Sequence, residues 1–316
     1  GHLQRRQRVQ HLDAPPEVRA RLEPLCVRDG EALLGVAGER LERSLEEQGF
    51  DGRVLIMQSN GGLTSADEAS RRPVNIVESG PAGGVVGAQA LSQKLGLADI
   101  VTFDMGGTTA KASLVENGQY SRAVEYSVGA GIMIGSRLLT GAGYRLKVPA
   151  IDLAEVGAGG GSIVWIDPAG ALQIGPRSAG ADPGPVCYGN GGTEPTVTDA
   201  CAVLGYLNQD YLVGGELAID TELSRQVLSE RIAEPLGLAL ERAAFGAYEI
   251  ASANMIRAIK SVSSERGRDP REYVLFAFGG NGPLFAAAMA SVLGLSLIHI
   301  SEPTRRPPIS YAVFCV

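Results

Sequence analysis

Apolar residues recur every three or four positions through "PPEVRARLEPLCVRDGEALLGVAGERLERSLEEQGF", with charges between them. That spacing predicts a helical, solvent-facing lead-in over residues 1–50. The pattern changes at "RVLIMQSNGG", 53–62, where a compact apolar run predicts a buried strand entering a polar turn. Ser65 and Glu68 then have capping-box spacing and start a short helix. In "VNIVESGPAGGVVGAQALSQKLG", 74–96, a short apolar strand is expected to end at Glu78, followed by a helix from about 81 to 95 that Ser79 can cap. The first half of that helix is almost all small: Ala82, Gly83, Gly84, Gly87 and Ala88. Interior glycine costs about 1 kcal/mol against alanine, so the run calls for close approach by another backbone, as a plain helix crossing or as a hinge beside a ligand.

"VTFDMGGTTAKASLVENG", 101–118, puts two apolar runs on either side of Gly106, Gly107, Thr108 and Thr109 and reads as a hairpin. The stretch 126–176 is strand-rich, and "SIVWID-PAG-ALQIG" is a second hairpin. Residues 175–205 are rich in glycine and proline and lead into a helix with Thr198 or Asp199 as its cap. Loops of this length are usually functional or disordered. A polar helical segment over 216–236 precedes a long apolar-faced helix over 241–267. Then "REYVLFAFGGNGPLFAAAMASVLG", 271–294, reads as strand, glycine turn and helix. Alternating strands and helices of this kind make an α/β protein. The main domain is expected over 51–294, with a β-rich, loop-rich insertion at about 120–215. After Gly294 a strand is due, but "LSLIHISEPTRRPPISYAVFCV" has no periodicity and three prolines. Residues 295–316 are therefore expected to be a non-native tail, and the chain reads as cut at both ends.

Composition narrows the chemistry. The 316 residues are 45% hydrophobic and carry a formal net charge of -7, which gives no electrostatic footprint for nucleic acid. No apolar run has the roughly 18 residues of a membrane-spanning helix. The four cysteines, Cys26, Cys187, Cys201 and Cys315, have no CxxC spacing, so free thiols in a reducing, cytoplasmic setting are expected. The three histidines, His2, His11 and His299, lie near the ends. A metal in the body of the chain must then take oxygen ligands, which favours Mg²⁺ or a similar hard ion.

Two segments can hold a phosphate. In Asp104-x-Gly106-Gly107-Thr108-Thr109, glycines admit close approach, backbone N–H groups and threonine hydroxyls donate, and a carboxylate at the strand end can hold Mg²⁺. Lys111 can add a cation if strand alternation does not turn it away. A plain hairpin would more often turn on two residues of the Asn-Gly or Asp-Gly type. The second segment is Gly279-Gly280-Asn281-Gly282, a glycine turn that opens a helix and can lie against a phosphate or a flat ligand. It falls short of a G-x-G-x-x-G dinucleotide motif.

These pieces come in the order of the second half of the actin, Hsp70 and sugar-kinase (ribonuclease H-like) ATPase fold, which they resemble. More closely, "MQSNGGL", "ESGPAGGVVGA", "FDMGGTTAKASLV", "GAGGGSI", "GPRSAGADPGPVCYGNGGTEPTVTDA" and "FGGNGPLFA" resemble the hydantoinase A/5-oxoprolinase family over about residues 50–294. That family includes ATP-dependent N-methylhydantoinase and the ATP-using subunits of acetone and acetophenone carboxylases. The resemblance implies ATP with Mg²⁺, a cyclic amide or ketone substrate, and a hydantoinase B-type or carboxylase partner subunit. It also implies carbonyl phosphorylation followed by attack of water or delivery to the partner. Family members carry a first Asp-x-Gly-Gly-Thr hairpin in a preceding domain, which is absent here.

On this basis Gly106, Gly107, Thr108, Thr109 and Lys111 face phosphate, Asp104 positions Mg²⁺ or the attacking water, and Gly279, Gly280 and Gly282 pack on the nucleoside. Glu78 either joins the active site or caps its helix. Ser178, Asp182, Tyr188 and Asp199 are expected on the substrate side, Asp199 alternatively as a helix cap. Cys187 is read as a small buried thiol rather than a nucleophile, since no histidine is available to activate it. Three activities remain open: a cyclic amidohydrolase, a carboxylase subunit, and a non-catalytic actin-like nucleotide switch.

Overall fold

A computed structural model describes residues 44–47, 49, 51–128, 132–133, 144–209, 218–295, 298–300 and 311–314. Most of the lead-in expected to be helical over 1–50 lies outside these residues.

The apolar run after residue 52 forms β1 (Arg53–Met57), which pairs antiparallel with β2 (Leu63–Thr64). Helix α1 (Ala66–Arg71) follows, and the Ser65 hydroxyl accepts from the Glu68 N–H as the capping spacing predicts. The strand expected to end at Glu78 does not form. Pro73–Ile76 is a 3₁₀ turn, and Pro73 at its start has the fixed φ that such a turn accepts. Helix α2 runs Ser79–Lys94, so Glu78 rather than Ser79 occupies the N-cap.

The main sheet is built on the hairpin of β3 (Ile100–Met105) and β4 (Ala110–Glu116). Strand β5 (Gln119–Tyr120) pairs with β4. The short strands β6 (Arg122–Ala123), β7 (Tyr126–Val128), β8 (Ile132–Met133), β9 (Tyr144–Leu146), β10 (Ala150–Ile151) and β11 (Ala154–Val156) follow. Of these, β8 and β11 join the main sheet although they lie within the range read as an insertion. β12 (Ser162–Ile166) and β13 (Leu172–Ser178) form the predicted second hairpin. Then come α3 (Val197–Val203), α4 (Thr221–Leu228), the long α5 (Leu240–Val262), β14 (Val274–Phe278), α6 (Gly282–Leu293), β15 (Ile298–Ile300) and β16 (Tyr311–Phe314). β16 lies parallel to β1. The sheet order is β15-β14-β3-β4-β11-β8, parallel from β15 to β3 and antiparallel beyond.

Strand alternation splits β3 between two cores. Val101, Phe103 and Met105 face α5 and α6, while Ile100 faces α2. Helix α5 buries Ala243, Ala244, Ala247, Ala251, Met255 and Ile259, a helical stripe whose small residues let it lie close to the sheet. Tyr248 of α5 stacks on Phe285 of α6 at 4.6 Å. On the opposite face Gly84 of α2 makes room for the Phe278 ring, so the approach that the small residues imply is by a side chain rather than a backbone. Among the described residues no helix is long and apolar enough to cross a membrane.

Candidate functional site

The register of the main sheet aligns Phe278, Asp104, Lys111 and Glu155 as a row across β14, β3, β4 and β11. Cross-strand partners in one row point to one face. Here that face carries α2, which brings Glu78 to the same place. Lys111 is the hub. Its ammonium lies 3.2 Å from Glu155, 3.7 Å from Glu78 and 2.9 Å from the Thr109 hydroxyl. The Lys111 and Glu78 side chains are 15% and 14% exposed, so the charges interact in a weakly screened setting.

Burial pushes the Glu78 carboxyl up to about 7, with the Lys111 charge pulling it back and the Glu155 charge pushing it further. Burial likewise raises Asp104, against the opposing pull of Lys111. For Lys111, burial alone would lower the ammonium, but Glu155 and Glu78 together outweigh it and the net shift is upward. Glu78 makes no side-chain cap on α2; its side chain faces the site, and its backbone N–H donates to Ser59 at 3.0 Å. Lys111 is held among carboxylates, which strand alternation explains. Glu155 was not singled out by sequence; the signal was its polar position between Ala154 and Val156 in a buried strand.

Next to this row the β3–β4 turn closes with the Gly106 N–H bonded to the Thr109 carbonyl at 3.1 Å. Gly106, Gly107 and Thr108 are exposed, and among the described residues nothing stands within 4 Å of where a Cβ would sit on either glycine. The Gly279–Gly282 turn packs on the end of β3. A Cβ on Gly279, which has φ +80°, would strike the Asp104 carboxylate and lie 2.6 Å from the Met105 carbonyl. Gly282 lies close to Phe103 and Met105, whereas Gly280 faces open space. The structure thus brings both glycine turns and Asp104 together. A third glycine segment, Gly157–Gly161, lies against the hairpin backbone, an element whose role sequence reading left unassigned.

The residues expected on the substrate side divide. Ser178 adjoins Gly161 and accepts from the Gly180 N–H at 3.2 Å. Asp182 is exposed, and Tyr188 packs on the small core of Cys187, Ala202 and Ile219. Asp199 is fully buried and takes part in the capping box of α3, in line with the helix-start alternative to a substrate-side role. It accepts from the N–H groups of Val186, Cys187 and Thr196 and from the hydroxyls of Thr196 and Ser224. The cap of α3 is Thr196, in a capping box with Asp199, rather than Thr198 or Asp199 itself. Burial, reinforced by the Asp199 charge, holds the Cys187 thiol far above the ordinary range and pushes Cys201 up to about 12. Both are protonated and unreactive at neutral pH.

Among the described residues no group of three or more His, Cys, Asp or Glu side chains is arranged to hold an ion. A hard cation would have Asp104 as its protein ligand and take further oxygens from a bound phosphate, in the manner of Mg²⁺.

Known proteins resemble this chain over most of its length. A family model described as hydantoinase/oxoprolinase matches residues 34–305. An uncharacterised protein of Methanocaldococcus jannaschii is 45% identical over 257 residues, covering 81% of this chain and 37% of that protein. The crystal structure of an ATP-dependent caprolactamase from Pseudomonas jessenii is 38% identical with a TM-score of 0.64, covering 85% of this chain and 37% of that one. A nucleotide-free acetone carboxylase structure, from work on ATP-dependent acetone carboxylation, is 31% identical with a TM-score of 0.70, covering 82% and 34%. The chain therefore spans little more than a third of the length of these relatives. With a family match across most of its length, the chain belongs to the hydantoinase/oxoprolinase family.

Proposed function

We propose that this chain is the second-half, phosphate-binding part of an ATP-dependent enzyme that opens a cyclic amide of the hydantoin or 5-oxoproline type. The observation that carries the reading is the open Gly106–Thr109 turn directly beside the Asp104 carboxylate and the Gly279–Gly282 turn. The sheet order β15-β14-β3-β4-β11, with α2 on one face and α5 and α6 on the other, supports an actin-like, ribonuclease H-like ATPase half. In this role the Gly106–Thr109 turn cradles phosphate oxygens, Gly279, Gly280 and Gly282 line the nucleoside side, and Asp104 holds Mg²⁺ or orients water. Bound Mg²⁺ would neutralise charge on the phosphates. The ATP-dependent caprolactamase, a relative acting on a cyclic amide by its name, favours this substrate class.

Transfer of the γ-phosphoryl group to the substrate carbonyl oxygen would release ADP and leave the carbonyl carbon open to water. Glu78 sits where it can take a proton near neutral pH. Ser178, at the end of β13 beside Gly161, is the residue given the substrate side. The likeness to acetone carboxylase supports a second reading, the ATP-using subunit of a ketone carboxylase working with a partner chain.

ATP consumption by the full-length parent separates the readings. Stimulation by hydantoins or 5-oxoproline supports the amidohydrolase, and stimulation by a ketone with bicarbonate supports the carboxylase. Asp104→Ala should abolish the stimulated turnover with the fold intact. Turnover within threefold of wild type in that variant would refute the role given to Asp104.

A further inference from the structure

Asn281 stands at the N-cap of α6, yet its side chain caps nothing in that helix. Instead its Nδ2 donates to the Gly106 carbonyl at 3.2 Å, and its backbone N–H donates to the Met105 carbonyl at 2.9 Å. The Gly106 carbonyl also accepts from the Gly160 N–H at 3.1 Å, and the Gly107 carbonyl accepts from the Gly161 N–H at 2.6 Å. Among the described residues the cis peptides are Gly175–Pro176 and Asp182–Pro183, so the hairpin peptides are trans. In a planar trans peptide the carbonyl and the following N–H point in opposite directions. Fixing the Gly106 and Gly107 carbonyls against the 157–161 segment therefore turns the Gly107 and Thr108 N–H groups the other way. Both peptides lie on an exposed turn, no described atom stands within 4 Å of a Cβ built on Gly106 or Gly107, and neither N–H has an acceptor among the described residues. Two successive N–H groups aimed at open space form an anion-binding concavity.

The supporting segment reaches the hairpin because it is glycine. A Cβ on Gly159 would lie 2.5 Å from the Gly107 carbonyl oxygen, and one on Gly160 would strike Asn281 and lie 2.7 Å from the Thr198 hydroxyl. The segment is itself anchored from behind. The Gly160 carbonyl accepts from the Thr198 N–H, and the Gly161 carbonyl from the Ala179 N–H, each at 2.8 Å.

We propose that Asn281, with Gly159, Gly160 and Gly161, positions the Gly106–Gly107 and Gly107–Thr108 peptides so that their N–H groups grip a phosphate oxygen of the nucleotide. The proposal rests on the phosphate-binding reading of the hairpin. It makes the turn after β14 a positioning device for the hairpin, beyond any contact it has with a nucleoside.

Calorimetric titration of the full chain with Mg-ATP and with pyrophosphate tests it, comparing wild type, Asn281→Ala and Asn281→Asp. Alanine removes the donor without adding charge, and aspartate keeps the shape but offers only acceptors. Both variants should lose roughly tenfold in affinity, the scale of one hydrogen bond to a fixed acceptor, with thermal midpoints close to wild type. In wild type the amide resonances of Gly107 and Thr108 should shift on adding pyrophosphate, and in Asn281→Ala those shifts should shrink. Equal affinity in all three forms, or binding that leaves both amides unmoved, overturns the proposal alone. Absence of binding in every form, wild type included, overturns the phosphate reading and this proposal with it.

Discussion

Glu78 is a carboxylic acid whose burial outweighs a nearby ammonium. Its carboxyl titrates near 7 in the folded chain, against about 4.5 when unfolded. Below pH 4.5 both states hold the proton. Between 4.5 and 7 the folded state keeps it and the unfolded state releases it, so stability falls as pH rises through this window and levels off above it. The full effect is at most about 3 kcal/mol. Glu78→Gln removes the titration, so the melting temperature of wild type should drop relative to the variant between pH 5 and pH 8. Parallel curves over that range would show that the carboxyl ionises normally. Asp199 makes a contrasting case, a buried carboxylate held by five donors. Asp199→Ala strands those donors and should cost at least about 3 kcal/mol, lowering the melting temperature on the order of 10 °C. A shift under about 2 °C would show that water or relaxed geometry satisfies them. The capping role of Asp199 could be read from the polar spacing before α3. Its bonds to Cys187 and Ser224 could not, because those residues lie 12 and 25 positions away.

At the level of elements, two glycines of α2 should behave in opposite ways. Gly87 is exposed with nothing within 4 Å of a Cβ, so Gly87→Ala should stabilise by about 0.5–1 kcal/mol through the lost flexibility of the unfolded chain. Gly84→Ala would drive a methyl into the Phe278 ring and should destabilise instead. Denaturant melts of the two variants check the signs, and matching shifts would rule out the packing of α2 against β14. The sequence run shows both glycines as equally small, and only the neighbouring strand tells them apart. The same distinction explains what else could be read in advance. The hairpins β3–β4 and β12–β13 and the helices α5 and α6 rest on local periodicity and turn chemistry, and they form where expected. The segment before Glu78 differs from its expected strand because "VNIV" has a strand's composition, while Pro73 opens a 3₁₀ turn and the Glu78 N–H is held by the Ser59 hydroxyl, 19 positions earlier. The glycine segment Gly157–Gly161 was visible as a motif, but its purpose depends on a hairpin about 50 positions earlier. Gly159→Ala places a methyl against main-chain atoms that have no rotamer to escape into. It should therefore weaken nucleotide binding more than Gly87→Ala, which leaves the site untouched.

On the scale of the whole molecule, the Gly106–Thr109 turn proposed to bind phosphate is exposed among the described residues, and the charged row beside it is lined from one sheet and one helix. Transfer of a phosphoryl group needs positioning and charge stabilisation around the phosphate, with bulk water kept out. One exposed turn supplies donors on a single side and does not exclude water. The relatives are more than twice as long, which leaves ample chain in them for a facing surface. We therefore expect the 316-residue chain to bind Mg-ATP without turning it over, and a longer form carrying the facing domain to hydrolyse it when substrate is present. Phosphate release from the purified chain, with and without 5-oxoproline, is the direct measurement. Substrate-stimulated release that disappears in Asp104→Ala would mean that one turn suffices, and the enclosure requirement would be wrong. Release that appears only on adding the facing domain would place the missing donors on that domain, and Asn281→Ala should then lower the rate of the assembled enzyme as it lowers binding in the chain alone.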